Sequence, residues 1–383
     1  MRPITTFVRH NSIKAILAAE HGLKAVSNGK LGKNLFDIEP KFIGTDVRII
    51  KETDDSTFIA KCDTNGRIVN KPFKILVTTD LHLCDDKELI NKSLFMLAKH
   101  VEAEKPDLIL FTGDVVLTDH QQVDCIQFGK FMEKMGIYWA YVFGNHEARA
   151  EKEYHKYFML KNLISFPHCL SKFGDPSLFG YGNFFINILS SPTSIQQSIV
   201  MLDSGRNTSP THNIENGAPA ELKCYDFLKK DQIDWYRKTI LDLEKEYGKF
   251  KSIMAMHIAL CEYEKVMQLD ENGNYIPTGK AEILYGEMHE SIGCSEFNSG
   301  MFDVIKELGT TQAVIVGHDH INDFCAKYDG IYLVYAQCDG YNTYTMGSNF
   351  GWDEKDWMQG VTMIDIDKEG KIVFRQRFNR DYL

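Results

Sequence analysis

Apolar and polar positions change rhythm at Pro72. Before it, clear elements are few, and Thr53–Arg67 (TDDSTFIAKCDTNGR) reads as a small hairpin turning at Asn65-Gly66. After it, short apolar runs alternate with segments of helical spacing. Phe73–Thr79, Asp107–Thr112 and Tyr138–Phe143 predict strands, separated by helices over Asp86–Glu104 and Asp119–Met135 and followed by one over Glu151–Leu160. Strands alternating with helices of this length predict β-α-β units, a largely parallel sheet and right-handed crossovers.

The second half is richer in strands. Phe184–Leu189, Ser198–Leu202, Ser252–Met256 and Ala313–Val316 predict strands, with helices over Lys229–Glu246 and Asn298–Leu308. Ile331–Tyr335, Val361–Ile366 and Ile372–Arg377 follow with no helix between them. The pattern therefore predicts two sheets, one β-α-β and one strand-rich. Residues 1–70 are expected to form an extension packing on a single domain over 71–383. The stretches 204–222 and 262–296 read as long irregular connections, the usual place for functional rims.

Composition narrows the class. Hydrophobic residues make up 44% and charged residues 25%, which is ordinary for a globular chain and excludes a disordered or fibrous one. Lys and Arg number 43 against 53 Asp and Glu, a net charge of −10 that weighs against a nucleic-acid polymer as partner. No run approaches the roughly 18 apolar residues of a membrane span, so no membrane is expected. The apolar run Ala15–Ala19 is too short for a secretory core and reads as part of a short amphipathic helix. Nine scattered cysteines without a C-x-x-C pair point to free thiols and a cytoplasmic setting.

The chemistry lies at strand ends. In order, the apolar runs lead into Asp80-Leu81-His82, Gly113-Asp114, Gly144-Asn145-His146-Glu147, His257 and Gly317-His318-Asp319-His320. Singly, each has a bland explanation: a solvated turn, a helix cap, a satisfied core histidine. As an ordered set, each directly after a strand, they form the ligand-bearing loops that open α/β sheets carry at their carboxyl ends.

This order resembles the calcineurin-like metallophosphoesterase superfamily, whose D-x-H, G-D, G-N-H-[DE], H and G-H-x-H pattern is met throughout. Leu202-Asp203-Ser204-Gly205, Tyr225-Asp226, Gln232 and Trp235-Tyr236 are similar to its purple-acid-phosphatase-like branch. The resemblance implies an α/β/β/α fold, a two-sheet β-sandwich flanked by helices. It also implies two metals, one held by Asp80, His82, Asp114 and His320, the other by Asp114, Asn145, His257 and His318. Leu117 stands where purple members carry a ligating tyrosine, so a non-purple protein is expected. Imidazole, carboxylate and amide donors suit Mn, Fe or Zn. A metal-bridging hydroxide would attack phosphorus, with His146 as general acid. Glu147 would orient His146 or cap the next helix, and Asn322 and Asp323 would support the ligands.

The expected reaction is hydrolysis of a phosphomonoester, either a small phosphate ester or a phosphoprotein. A phosphodiesterase acting on a small (cyclic) nucleotide or other diester, or a scaffold of the same fold without activity, are the alternatives. The aromatic segment Tyr341–Trp357 would either stack a base or sugar or form an ordinary packed loop.

Overall fold

The computed structural model describes residues 35–84, 86–118, 120–147 and 154–383. The amphipathic helix expected near the N-terminus lies outside them. Strands β1 (Val47–Glu52) to β3 (Phe73–Thr78) precede helix α1 (Lys87–Glu104). Then β4 (Leu108–Phe111), α2 (Gln121–Met135), β5 (Tyr138–Tyr141) and α3 (Tyr154–Leu163) follow as the alternating pattern predicts.

Among the described residues, five strands form the first sheet. β3, β4 and β5 run parallel, while the hairpin of β15 (Gly360–Ile366) and β16 (Ile372–Phe378) joins antiparallel beside β3. The last two strands thus close the β-α-β sheet. Their apolar alternation (Ile364 and Ile366 inward) matches Phe73, Ile75 and Val77 of β3.

Among the described residues, nine strands form the second sheet. Its centre is β6 (Phe184–Ser191), β7 (Ser194–Met201), β8 (Ser252–Ala255), β12 (Thr311–Val316) and β14 (Ile331–Tyr335). From β7 to β14 the neighbouring strands are parallel, so this sheet is itself partly a crossover sheet. Its covering helices are α5 (Lys230–Tyr247) and α6 (Met301–Leu308), and a short helix α4 (Pro210–Glu215) precedes them.

The region before Pro72 departs from the predicted hairpin. β2 (Ser56–Lys61) pairs antiparallel with β1 and parallel with β6, placing both strands within the second sheet. The turn at Asn65-Gly66 closes only a single bridge, between Cys62 and Ile68. β1 reads VRIIKE, and its exposed charges mask the strand period in the sequence. The stretch 262–296 also carries structure: β9 (Met267–Leu269) and β10 (Tyr275–Pro277) pair together, and β11 (Ala281–Tyr285) pairs with β13 (Cys325–Tyr328) at the far sheet edge. Such short polar strands lack the apolar runs that mark a strand in sequence.

Three cores separate four layers. Between the sheets lie Ile75, Val77, Leu110, Ile186, Ile199 and Ile253, among others. Outside the first sheet, Phe111 and Trp139 meet Leu94, Leu97, Phe128 and Met132 of its helices. Outside the second, Met254, Val314 and Leu333 meet Trp235, Tyr236 and Ile305. This is the expected α/β/β/α sandwich. Among the described residues no helix is long and apolar enough to cross a membrane.

Candidate metal centre

The predicted donors leave the carboxyl ends of strands in both sheets and meet at one end of the sandwich. β3, β4 and β5 deliver Asp80 and His82, Asp114, and Asn145 and His146; β8 and β12 deliver His257, then His318 and His320. Backbone hydrogen bonds stitch these turns together: Asp80 N–H donates to Gly113 C=O at 3.1 Å, His82 N–H to Asp114 C=O at 2.9 Å, and Gly317 N–H to His257 C=O at 3.1 Å.

Strain collects here. Asp80, His82, Asp114 and His318 all have positive φ, at 54°, 44°, 52° and 81°. Each costs on the order of 1–3 kcal/mol and persists only where packing enforces it. Two glycines make the close approach feasible. Gly113 sits at φ 100°, and a Cβ on Gly317 would fall 2.0 Å from Thr79 Oγ1.

Two buried groups of donors result: Asp80, His82 and His320, and Asp114, His257 and His318. In the first, the Nε2 atoms of His82 and His320 are 3.0 Å apart, and Asp80 Oδ1 lies 3.5 and 3.4 Å from them. Asp80 Oδ2 is fixed by Thr79 Oγ1 and His318 N–H, whereas Oδ1 is buried without a hydrogen-bond partner among the described residues. A buried carboxylate oxygen left open beside two imidazole nitrogens fits a cation.

In the second group, His257 Nδ1–H donates to Thr112 C=O at 2.8 Å, which turns Nε2 inward as a lone pair. That Nε2 faces Asn145 Oδ1 at 2.9 Å and Asp114 Oδ2 at 3.2 Å. Three acceptors facing one another need a positive charge between them. Burial alone would lower the His257 pKa, but the Asp114 and Asp80 carboxylates outweigh it and raise it to about 10. A proton is thus the simplest ion that reconciles the three, and a divalent metal competes for the same place. His318 behaves oppositely: burial, reinforced by the His257 charge, depresses it to about 3, so it offers a neutral nitrogen.

Asp114 links the two groups. Its Oδ2 is 3.2 Å from His257 Nε2 and 3.8 Å from His82 Nε2, and its Oδ1 accepts from His146 N–H at 2.8 Å. His146 itself stands at the mouth, 47% exposed, with Nε2 4.0 Å from Asp114 Oδ2 and its ring edge-on to His82. Burial pulls its imidazole below the ordinary range while Asp114 pulls the other way.

Among the described residues, Glu147 contacts neither the His146 ring nor a helix N-terminus. Its fully buried carboxylate turns back toward the Asp114 loop. Oε2 accepts from the N–H groups of Asp114 at 2.9 Å and Gly144 at 2.6 Å; Oε1 accepts from Val115 at 2.5 Å, Val116 at 3.3 Å and the Tyr141 hydroxyl. It is a clamp on the loop that presents Asp114. Asp319 points away from the donors, accepting from Gly293 N–H at 2.9 Å and from the Tyr335 hydroxyl. Asn322 and Asp323 hold the backbone of Glu287, His289 and Glu290 instead of touching any ligand.

The flanking wall was legible only in part: Tyr225 belongs to a matched motif and Tyr344 to the aromatic segment, but their contacts with the histidines were not. Tyr344 stacks on His320 with ring centres 4.2 Å apart and donates its hydroxyl to Glu290. Tyr225 meets His318 edge-on at 4.4 Å. No spacing rule connects residues so far apart in the chain. Along Tyr341–Trp357, the packed-loop reading holds for Tyr341, Tyr344, Met346 and Trp357, whereas Phe350 and Trp352 remain partly exposed. The Leu202–Gly205 turn is anchored by a buried ion pair from Lys156 to Asp203 (3.1 Å) and by Ser204 Oγ, which accepts from Ile258 N–H beside His257.

Two facing sheets whose strand ends bring together two donor groups, linked by one carboxylate, define the metallophosphoesterase fold. Over residues 73–322 the sequence matches the calcineurin-like phosphoesterase family, and the chain belongs to that family. Among its relatives, probable inactive purple acid phosphatase 14 of Arabidopsis thaliana is 29% identical over 345 residues, 80% of this chain and 77% of that one. Probable inactive purple acid phosphatase 29 of the same plant is 26% identical, covering 79% of each chain. Phosphatase DCR2 of Saccharomyces cerevisiae is 27% identical over 69% of this chain and 47% of its own.

Proposed function

We propose that this chain is an active dinuclear metal-dependent phosphoesterase acting on phosphomonoesters. The carrying observation is the convergence of buried donors into two groups, with Asp114 Oδ2 of one 3.2 Å from His257 Nε2 and 3.8 Å from His82 Nε2 of the other. Two of its relatives bear the words "probable inactive" and a third bears "phosphatase"; in this chain every donor of the D-x-H, G-D, G-N-H-[DE], H and G-H-x-H set is present, the purple members' tyrosine alone being Leu117, which supports the active reading. Asp80, His82, Asp114 and His320 would hold one ion, and Asp114, Asn145, His257 and His318 the other. When bound, such a pair of Mn, Fe or Zn ions supplies positive charge to the phosphoryl oxygens and acidifies a water.

The chain's own residues do the rest. His257 is fixed in one tautomer by Thr112, and Asp114 is aimed by the Glu147 clamp. His146, exposed at the mouth, donates the Nε2 proton to the departing alkoxide. A phosphate dianion beside it favours the imidazolium form against the effect of burial. The protein's negative charge does not oppose a small ester, because the charge that matters lies in the site; it does oppose a long polyanion. Small phosphate esters or a phosphoprotein are therefore the proposed substrates.

The test is an assay of the Mn²⁺-supplemented protein on p-nitrophenyl phosphate and bis(p-nitrophenyl) phosphate. Turnover of the monoester in preference to the diester is expected. Preference for the diester overturns the monoester reading, and turnover of neither with metal bound overturns the enzyme. His146→Ala should keep its metal content and lose about 10²–10⁴ in kcat. A fall in metal content instead would show that His146 is a ligand.

A further inference from the structure

The histidine donors are not held alike. His257 is fixed from within the sandwich, through its Nδ1–H on the Thr112 carbonyl. His82 Nδ1 is buried without a hydrogen-bond partner among the described residues. His320 is held from outside the strand-end turns, by the aromatic segment. Its Nδ1 lies 2.8 Å from Thr343 Oγ1 and 3.3 Å from Tyr344 C=O. With the Nδ1 proton donated to these oxygens, Nε2 is left as a lone pair facing Asp80 Oδ1 at 3.4 Å. The Tyr344 ring lies almost parallel to this imidazole, 7° apart in plane and 4.2 Å between centres. Its hydroxyl accepts from His320 N–H at 3.3 Å and donates to the Glu290 carboxylate, whose oxygens are 3.0 and 2.9 Å away.

We propose that Tyr344, with Thr343 and Glu290, is a positioning unit for His320 that sets the affinity for the ion at Asp80, His82, Asp114 and His320 and leaves the other ion untouched. The inference rests on the metal-dependent reading of the donors given above. Turning the His320 ring about its Cβ–Cγ bond swings Nε2 away from Asp80 and His82, so whatever fixes the ring plane fixes the donor. The stacked tyrosine blocks that turn at one face, and the oxygens at Nδ1 hold the edge. A metal ligand held in one tautomer and one orientation binds more tightly than one that must be ordered by the ion.

The unit is itself anchored. Glu290 Oε1 also accepts from Ile321 N–H at 2.9 Å, and Asn322 Nδ2 donates to Glu290 C=O at 3.1 Å. A ring of contacts thus runs from His320 through Tyr344 and Glu290 back to Ile321, the next residue in the chain. Before Tyr344, Asn342 Nδ2 donates to Leu81 C=O at 3.3 Å and Tyr341 N–H to Ser93 Oγ at 3.3 Å. After it, Thr345 caps the short helix α7 (Met346–Phe350), and Met346 packs with Ile321 and Met358. The second donor group draws on other supports, the Thr112 carbonyl for His257 and the edge of Tyr225 for His318. Removing Tyr344 therefore loosens one donor of one group.

The test titrates Mn²⁺ into the full chain after chelator treatment, by calorimetry, with elemental analysis of the dialysed protein. Tyr344→Ala is expected to weaken one of two ions about 10–100-fold, the range for losing a group that orients a metal ligand, and to leave the other unchanged. Tyr344→Phe keeps the stacked ring and should recover most of that loss. Thr343→Val should weaken the same ion by less, because the Tyr344 carbonyl still accepts from Nδ1; it leaves the stack in place and reads the same selectivity if Tyr344→Ala fails to fold. A merely structural role lowers both affinities or neither. Equal weakening of both ions, no weakening of either, or Tyr344→Phe no better than Tyr344→Ala overturns the proposal alone. A wild-type chain that takes up no metal overturns the metal-dependent phosphoesterase reading with it. None of these readouts needs turnover.

Discussion

Asp114→Asn is expected to empty both metal positions, whereas Asp80→Asn empties one and His146→Ala neither. The geometry sets this order. Asp114 Oδ2 faces His257 Nε2 at 3.2 Å and His82 Nε2 at 3.8 Å, so one oxygen addresses both donor groups. Asp80 Oδ1 faces only His82 and His320. Asparagine is the informative substitution because position 114 has φ 52°, a conformation that Asn adopts more readily than Ala. The variant therefore keeps the loop and removes the anion. Loss of a supporting partner alone costs metal sites about 10–100-fold in affinity, and loss of the shared ligand should exceed that for both ions. The charge balance changes as well. Burial raises the Asp114 pKa, yet His257 and His82 more than offset it and hold the carboxyl below the usual range. With Asn in place, His257 loses the main anion that keeps it protonated. Elemental analysis of the purified chains, per mole of protein, reads the outcome directly. A full equivalent of metal retained by Asp114→Asn would show that the two groups do not share this residue.

The same residues show what sequence could and could not reveal. Each donor follows an apolar run closely, and strand ends in open α/β sheets converge, so the donor set is legible in the sequence. The sheet assignments were less so. Ile364 and Ile366 alternate as any half-buried strand does, and nothing in that alternation says which sheet they complete; register with Phe73, Ile75 and Val77 decides it. β1 was hidden because its outer face is charged. Tyr344 and Tyr225 reach the site through folding over long sequence separations, which local pattern does not encode. Glu147 was legible as a member of the motif but not as a clamp. A carboxylate beside a histidine suggests an orienting pair, and only the backbone path shows its oxygens filled by N–H groups of another loop.

That clamp carries the second large effect, a loss of stability that precedes any loss of chemistry. Glu147→Ala should destabilise the metal-depleted chain by about 3–5 kcal/mol, the range for removing one partner of a buried charged interaction. The reason is a count of stranded donors. Asp114, Val115, Val116 and Gly144 each give a backbone N–H to this carboxylate, and Tyr141 gives its hydroxyl. Glu147 is fully buried, so the alanine variant offers these groups no ready water. A buried donor without a partner costs about 1–3 kcal/mol, partly recovered as the loop relaxes. Burial and the nearby Asp114 charge raise the pKa of Glu147, so the carboxylate is held there at some cost that the five donors offset. Glu147→Gln should lie between wild type and alanine: its oxygen still serves one side of the clamp, while its amide nitrogen meets backbone N–H groups on the other. Urea unfolding of the three proteins in the presence of a chelator separates this from metal loss. A difference between wild type and Glu147→Ala within about 0.5 kcal/mol, the size of an ordinary surface change, would rule the clamp out. Where the variants fold, weaker metal binding with His146 intact should follow, because Asp114 would no longer be held at φ 52°.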